Sequence, residues 1–142
     1  MTLNLLLATD LLEGSHALSL KALSFSKRLN ANLSIIHIIE TPLSCQYAHA
    51  LGFSELIEPS IQAAKSVLAT LADELEIPPE RQYIRDGKAA HTITELALEL
   101  NIDGIIIGAQ GHTALPHLLG STANSILHTA HCDVLTLKAI KD

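Results

Sequence analysis

Residues 104–137 read GIIIGAQGHTALPHLLGSTANSILHTAHCDVLTL, and the fold is decided in this stretch. Ile105, Ile106 and Ile107 form a short apolar run of the kind that fills a buried strand. The run breaks at Gly108-Ala109-Gln110-Gly111, and Gly120-Ser121-Thr122 then opens a helix. A second short apolar strand, Val134–Leu137, follows. Two glycine turns aimed at the start of a helix make an anion cradle. Glycine lets the backbone come close to a ligand, and the first helical N–H groups carry partial positive charge.

Working outward from this stretch, the same alternation of strand and helix extends upstream. LNLLLATD, ending at Asp10, is nearly continuously apolar, as a central parallel strand should be. Ser15 is the expected N-cap of a first helix that places Leu18, Ala22, Phe25 and Leu29 on one face. Asn30-Ala31-Asn32 ends it, and LSIIHII (33–39) is a second strand closed by Glu40-Thr41-Pro42. Residues 43–54 have no period and are expected to be a loop. A long helix begins near Glu58-Pro59, where proline suits the first turn, and buries a stripe of Ile61, Ala64, Leu68, Leu71 and Leu75. Pro78-Pro79 stops it.

A more polar strand at 81–85 suits a sheet edge, and a helix at about 91–100 buries Ile93, Leu96, Ala97 and Leu100. The last helix, at about 121–130, turns Ala123, Ile126 and Leu127 inward. The pattern is βαβαβαβαβ. It predicts an α/β domain spanning residues 1–142: an open five-stranded parallel sheet, order 3-2-1-4-5, with helices on both faces.

Composition agrees with that reading and excludes others. Apolar residues make up 48% and aromatics only 3%, so Leu, Ile, Ala and Val must fill the core, which suits helices packed on a parallel sheet. Net charge is −6 and the nine Lys and Arg are scattered, so no stripe exists to track a nucleic-acid backbone. The apolar runs are far shorter than the roughly 20 residues that span a bilayer, and MTLNLLLATD lacks a basic start. A cytoplasmic location is the expectation. Cys45 and Cys132 lie far apart in sequence and are expected to be free thiols.

In an open doubly wound sheet, ligands bind beyond the carboxyl ends of the strands, where strand order reverses. Asp10 ends the first strand and Gly108 the fourth, so both should face one crevice. An acidic side chain opposite a glycine cradle suits a nucleotide. The carboxylate accepts hydrogen bonds from base or sugar, while phosphates take backbone N–H groups and the Ser121 and Thr122 hydroxyls. A solvated turn acid is the plainer reading of Asp10 alone. The sequence has neither GxxxxGK[ST] nor a GxGxxG after its first strand, so the P-loop and the dinucleotide fingerprint are absent.

The eight histidines invite a metal reading at His128, His131 and Cys132, or at His112 and His117, but no further ligand has suitable spacing. Solvated histidines are the better reading, with His37 a core residue that needs a hydrogen-bond partner and His112 placed to approach a phosphate. Asp10 has no acidic partner beside it and no serine sits in a GxSxG elbow, so no catalytic constellation emerges. Slow nucleotide turnover is the one activity left open.

LLLATDLLEGSHALSLKAL at the start, SIIHIIE at the second strand and the stretch 104–137 resemble the universal stress protein family, UspA-like proteins of the Rossmann-like adenine nucleotide alpha hydrolase-like fold. The resemblance covers essentially the whole chain. ATP-binding members carry G-x2-G-x9-G-[ST], which Gly108, Gly111, Gly120 and Ser121 match, with eight residues between Gly111 and Gly120 where the pattern has nine. The resemblance implies that Asp10 lies near adenine and ribose, with Ala8 and Thr9 preceding it along the same strand and Ile38 or Ile39 lining the base pocket. It further implies ATP or a related nucleotide (AMP, ADP), with or without Mg2+, a regulatory or protective role under stress, and a homodimer paired through Val134–Leu137. A nucleotide-free interaction module of the same fold is the alternative.

Overall fold

The computed structural model describes residues 1–12, 14–40, 47, 50–53, 55, 58–109 and 119–138. In chain order the elements are β1 (Asn4–Thr9), α1 (Ser15–Arg28), β2 (Asn32–Ile39), α2 (Glu58–Glu74), β3 (Gln82–Asp86), α3 (Ala89–Glu99), β4 (Gly104–Gly108), α4 (Ser121–Thr129) and β5 (Asp133–Leu137). A 3-10 turn, Pro79–Arg81, leads into β3. The sheet has the order β3-β2-β1-β4-β5. Every pairing is parallel, with Thr9 opposite His37, Leu7 opposite Ile106 and Gly108 opposite Leu137. The expected topology is the observed one, with β3 at an edge.

Because side chains alternate across a strand, the continuous apolar runs of β1, β2 and β4 supply two cores at once. Leu5, Leu7, Leu33, Ile35 and Ile106 pack with α1 and α2 on one face. Leu6, Ile36, Ile105 and Ile107 pack with Ile93 and Leu96 of α3 and with Ala123 and Ile126 of α4 on the other. Leu6, Ile35, Ile36 and Ile105 are fully buried. Each fully buried aliphatic side chain contributes about 1.5–3 kcal/mol of transfer free energy, so these central strands dominate the stability.

Three helices end the same way. After α1, the Ala31 N–H reaches the Ser26 carbonyl at 2.8 Å while Asn30 sits at φ 54. Ile77 to Ala72 with Glu76 at φ 58, and Ile102 to Ala97 with Asn101 at φ 54, repeat the arrangement after α2 and α3. These are Schellman caps, in which a left-handed residue turns the chain and an apolar one tucks beneath it. Asn tolerates the left-handed region, whereas Glu76 adopts it at a steric cost.

Several local expectations need correction. Ser15 is the first residue of α1; its N-cap is Gly14, at φ 86, with no side-chain cap. Leu29 and Leu127 point outward, 51% and 49% exposed. Alpha1 buries the small residues Ser19, Ala22 and Ser26 instead, which lets it lie close to the sheet, and the Ser26 hydroxyl donates to the Leu23 carbonyl at 2.8 Å. Alpha2 stops at Glu74, at its Schellman cap and ahead of Pro78. Within 43–54, Tyr47 and Ala50 are helical, and the remainder of that expected loop lies largely outside the described residues.

Candidate functional site

The switch point falls at β1, which has β2 on one side and β4 on the other. Beyond the carboxyl ends of these strands lies a crevice of about 650 Å³, within the roughly 300–1,000 Å³ usual for small-molecule sites. Ala8, Thr9 and Asp10 enter it from β1 and its turn, Ile38 from β2, and Gly108 from β4. Gly120, Ser121 and Thr122 enter from the start of α4. Residues more than a hundred positions apart in sequence therefore share one wall. Gly111 and His112 lie outside the described residues, as does His117.

The glycine loop is tied at both ends. The Ala109 N–H donates to the Leu137 carbonyl at 2.7 Å, and the Gly120 N–H donates to the Ala109 carbonyl at 2.7 Å. Gly120 is the extended N-cap of α4 (φ −60, ψ 153) and brings no capping side chain. The helical ladder starts only with Asn124 N–H to Gly120 C=O, at 2.8 Å. The N–H groups of Ser121, Thr122 and Ala123 thus precede the ladder, at the positive end of the helix dipole, and no acidic residue lies in that first turn.

Opposite, the chain leaving β1 is held by its own polar groups. The Asp10 carboxylate accepts the Leu12 N–H at 2.8 Å and the Thr9 hydroxyl accepts the Leu11 N–H at 3.1 Å. Between them Leu11 takes φ 58, a left-handed conformation uncommon for a leucine. The Thr9 carbonyl accepts a hydrogen bond of 2.9 Å from His37, which must carry its proton on Nδ1, since a carbonyl only accepts. His37 therefore has the partner its place in an apolar strand required, and it also lines the crevice.

Glu40 is the lining residue that the sequence did not reveal. Its carboxylate accepts the Ala89 N–H at 3.1 Å, at the start of α3. Lys88, the N-cap of α3, provides no capping side chain, so the acceptor comes from the end of β2, 49 residues away. The missing Ser, Thr, Asp or Asn before α3 is the signal that a remote acceptor was needed. Leu18, Ile36, Ile93 and Ile107 complete an apolar lining around these few polar groups.

Away from the crevice, half-buried Cys132 has its thiol pushed above the ordinary range by burial and by Asp133 and Asp103. It is a free cysteine. Among the described residues no group of three His, Cys, Asp or Glu converges as metal ligands. Among them, too, no helix is long and apolar enough to cross a membrane.

A doubly wound α/β sheet with a mostly apolar crevice at its switch point, flanked by a helix start on one side and a carboxylate on the other, defines the Rossmann-like class of α/β domains. The chain belongs to the universal stress protein family, whose model matches residues 1–138. It is 37% identical over 136 residues to universal stress protein A homolog 1 of Coxiella burnetii, covering 94% of each chain. Universal stress protein A homolog 2 of the same organism is 34% identical over 119 residues, covering 83% of this chain and 82% of that one. Among solved structures, a universal stress protein in complex with cAMP superposes with a TM-score of 0.71 at 18% identity, covering 98% of both chains.

Proposed function

We propose that this chain binds an adenine nucleotide (ATP, ADP or AMP) in the switch-point crevice, and that binding serves a regulatory or protective role under stress in the cytoplasm. The observation that supports this most is the convergence of Ala8, Thr9 and Asp10 with Gly108, Gly120, Ser121 and Thr122 around one cavity. Ala8 and Ile38 offer an apolar face to a base, Asp10 an acceptor for sugar or base, and α4 its free N–H groups to a phosphate. Gly111 and His112 are further phosphate contacts in this proposal on the sequence motif alone, and Mg2+ would act as counter-ion to a triphosphate. The solved relative in complex with cAMP is consistent with an adenine ligand.

The chain acts as one domain and pairs with a second copy through Val134–Leu137. Leu135 on the edge strand β5 is 36% exposed, and an unpaired edge bearing apolar side chains needs a cover. That apolar edge also favours the second reading, a nucleotide-free module working through protein partners. No catalytic step is assigned; metal-dependent release of ADP would indicate a slow hydrolase.

Calorimetric titration of nucleotide-stripped protein with ATP and Mg2+ tests the proposal, with Asp10→Ala and Gly111→Val as controls. Micromolar binding that both substitutions weaken by about tenfold or more, roughly 1.4 kcal/mol, is the expected result. Silence at millimolar nucleotide from folded protein would reject it in favour of the partner-binding module.

A further inference from the structure

Side chains alternate along β2, so Leu33, Ile35 and His37 point to one face of the sheet. Leu33 and Ile35 are buried there against α1 and α2. At His37 the strand reaches the crevice, the side chain is only half-buried, and an imidazole stands where the pattern would put an aliphatic group.

The two ring nitrogens differ. Nδ1 donates to the Thr9 carbonyl at 2.9 Å. Thr9 is the last residue of β1, so this bond lays the ring across the carboxyl end of that strand, at the switch point. With the proton committed to Nδ1, the neutral ring has only a lone pair at Nε2. Among the described residues no group bonds Nε2, and no buried side-chain nitrogen or oxygen is left without a partner, so Nε2 is open to solvent. His37 lines the crevice and not the groove between α1 and α2, so the open nitrogen is presented to the crevice. Holding the Thr9 carbonyl needs one donor, which an asparagine would supply. That role leaves Nε2 unused.

A group that meets Nε2 must bring an N–H or O–H. Ile36 and Ile38, on either side of His37 in the strand, give the same crevice apolar surface. An apolar slot with one acceptor suits a flat heterocycle bearing an exocyclic amine. It rejects one bearing a carbonyl at that place, because two lone pairs would then face each other with no proton between them.

Resting on the nucleotide reading above, we infer that His37 Nε2 is the specificity-determining acceptor of the crevice and takes an N–H of the exocyclic amine of adenine. The crevice therefore prefers aminopurine nucleotides to oxopurine ones. The bond to the Thr9 carbonyl makes His37 a reader of the base, because it fixes the tautomer that leaves Nε2 free to accept.

The test is calorimetry on the full chain with AMP, with inosine monophosphate, whose purine has a carbonyl in place of the amine, and with purine riboside monophosphate, which has neither. AMP is expected to bind at least about tenfold more tightly than inosine monophosphate, with the unsubstituted purine between them. His37→Asn keeps a donor near the place of Nδ1 and deletes Nε2. It should lose AMP affinity severalfold and bring the ratio of AMP to inosine monophosphate within about threefold. A proton–nitrogen correlation spectrum of the imidazole in the unsubstituted protein should show the Nδ1–H tautomer, with Nε2 moved further by AMP than by inosine monophosphate. Equal affinity for the two nucleotides, an Nε2–H tautomer, or an undiminished ratio in His37→Asn would each overturn the inference while leaving nucleotide binding in place. Failure of AMP, inosine monophosphate, ATP and adenosine alike would instead reject the nucleotide reading and the inference with it.

Discussion

The two ends of the sheet handle their polar groups in opposite ways. At the amino end they are used up within the chain. Asp103 accepts the Asn4 N–H on its carboxylate at 2.7 Å and donates its own N–H to the Asn4 carbonyl at 2.7 Å, while the Asn32 N–H reaches Leu3 O at 2.8 Å. The caps at Asn30, Glu76 and Asn101 close the helices that return there. At the carboxyl end the polar groups surround a space. Thr9, Asp10, Glu40 and the start of α4 are held by short hydrogen bonds yet border one crevice. Chain-to-chain hydrogen bonding closes the amino end and an open crevice marks the carboxyl end, as expected of parallel sheets whose ligand loops all leave one edge.

The contrast is most sharply tested by Asp103→Ala. It removes the acceptor that bridges β1 and β4 and should lower unfolding free energy by about 1–3 kcal/mol in urea titration. Nucleotide affinity should stay within about twofold, because the residue lies at the far end of the sheet. A large affinity loss would mean the two ends are coupled.

Glu76→Gly should act in the other direction. The residue sits at φ 58 after α2, a conformation that glycine adopts freely, so a gain of about 1 kcal/mol is expected from the same titration. The exposed 3.7 Å pair of Glu76 with Lys27 subtracts little. Asn101→Gly should gain less, since asparagine already tolerates the conformation.

The smallest effect concerns Cys132, whose thiol pKa is raised by burial and by Asp133 and Asp103. The folded chain keeps this proton to higher pH than the unfolded chain does. The corresponding stability is therefore present below the ordinary thiol range and is lost as pH rises through the folded value. Peptide mapping after iodoacetamide treatment should show Cys132 alkylated more slowly at pH 8 in the folded protein than in urea. Equal rates would contradict the shielding described here.

Topology was legible because it rests on local signals: apolar strands, helical stripes and glycine breaks in strict alternation. The crevice residues Ala8, Thr9, Asp10, Ile38, Gly108, Gly120, Ser121 and Thr122 could be placed together because the fold fixes where strands 1 and 4 end. Leu29 and Leu127 were misassigned because the stripe was read from side-chain size. Alpha1 packs through Ser19, Ala22 and Ser26, and Leu29 lies past its end, out of phase. Glu40 at the α3 start and His37 on the Thr9 carbonyl span 49 and 28 residues, pairings that no local pattern encodes.

The most direct test of the division between the two ends is an amide NMR titration of the protein with AMP. The expected result is shifts confined to Ala8, Thr9 and Asp10 and to Ser121, Thr122 and Ala123, with Asn4, Asn30, Asn101 and Asp103 unmoved. Shifts centred on the amino end, or none at saturating nucleotide, would contradict a nucleotide site in the crevice.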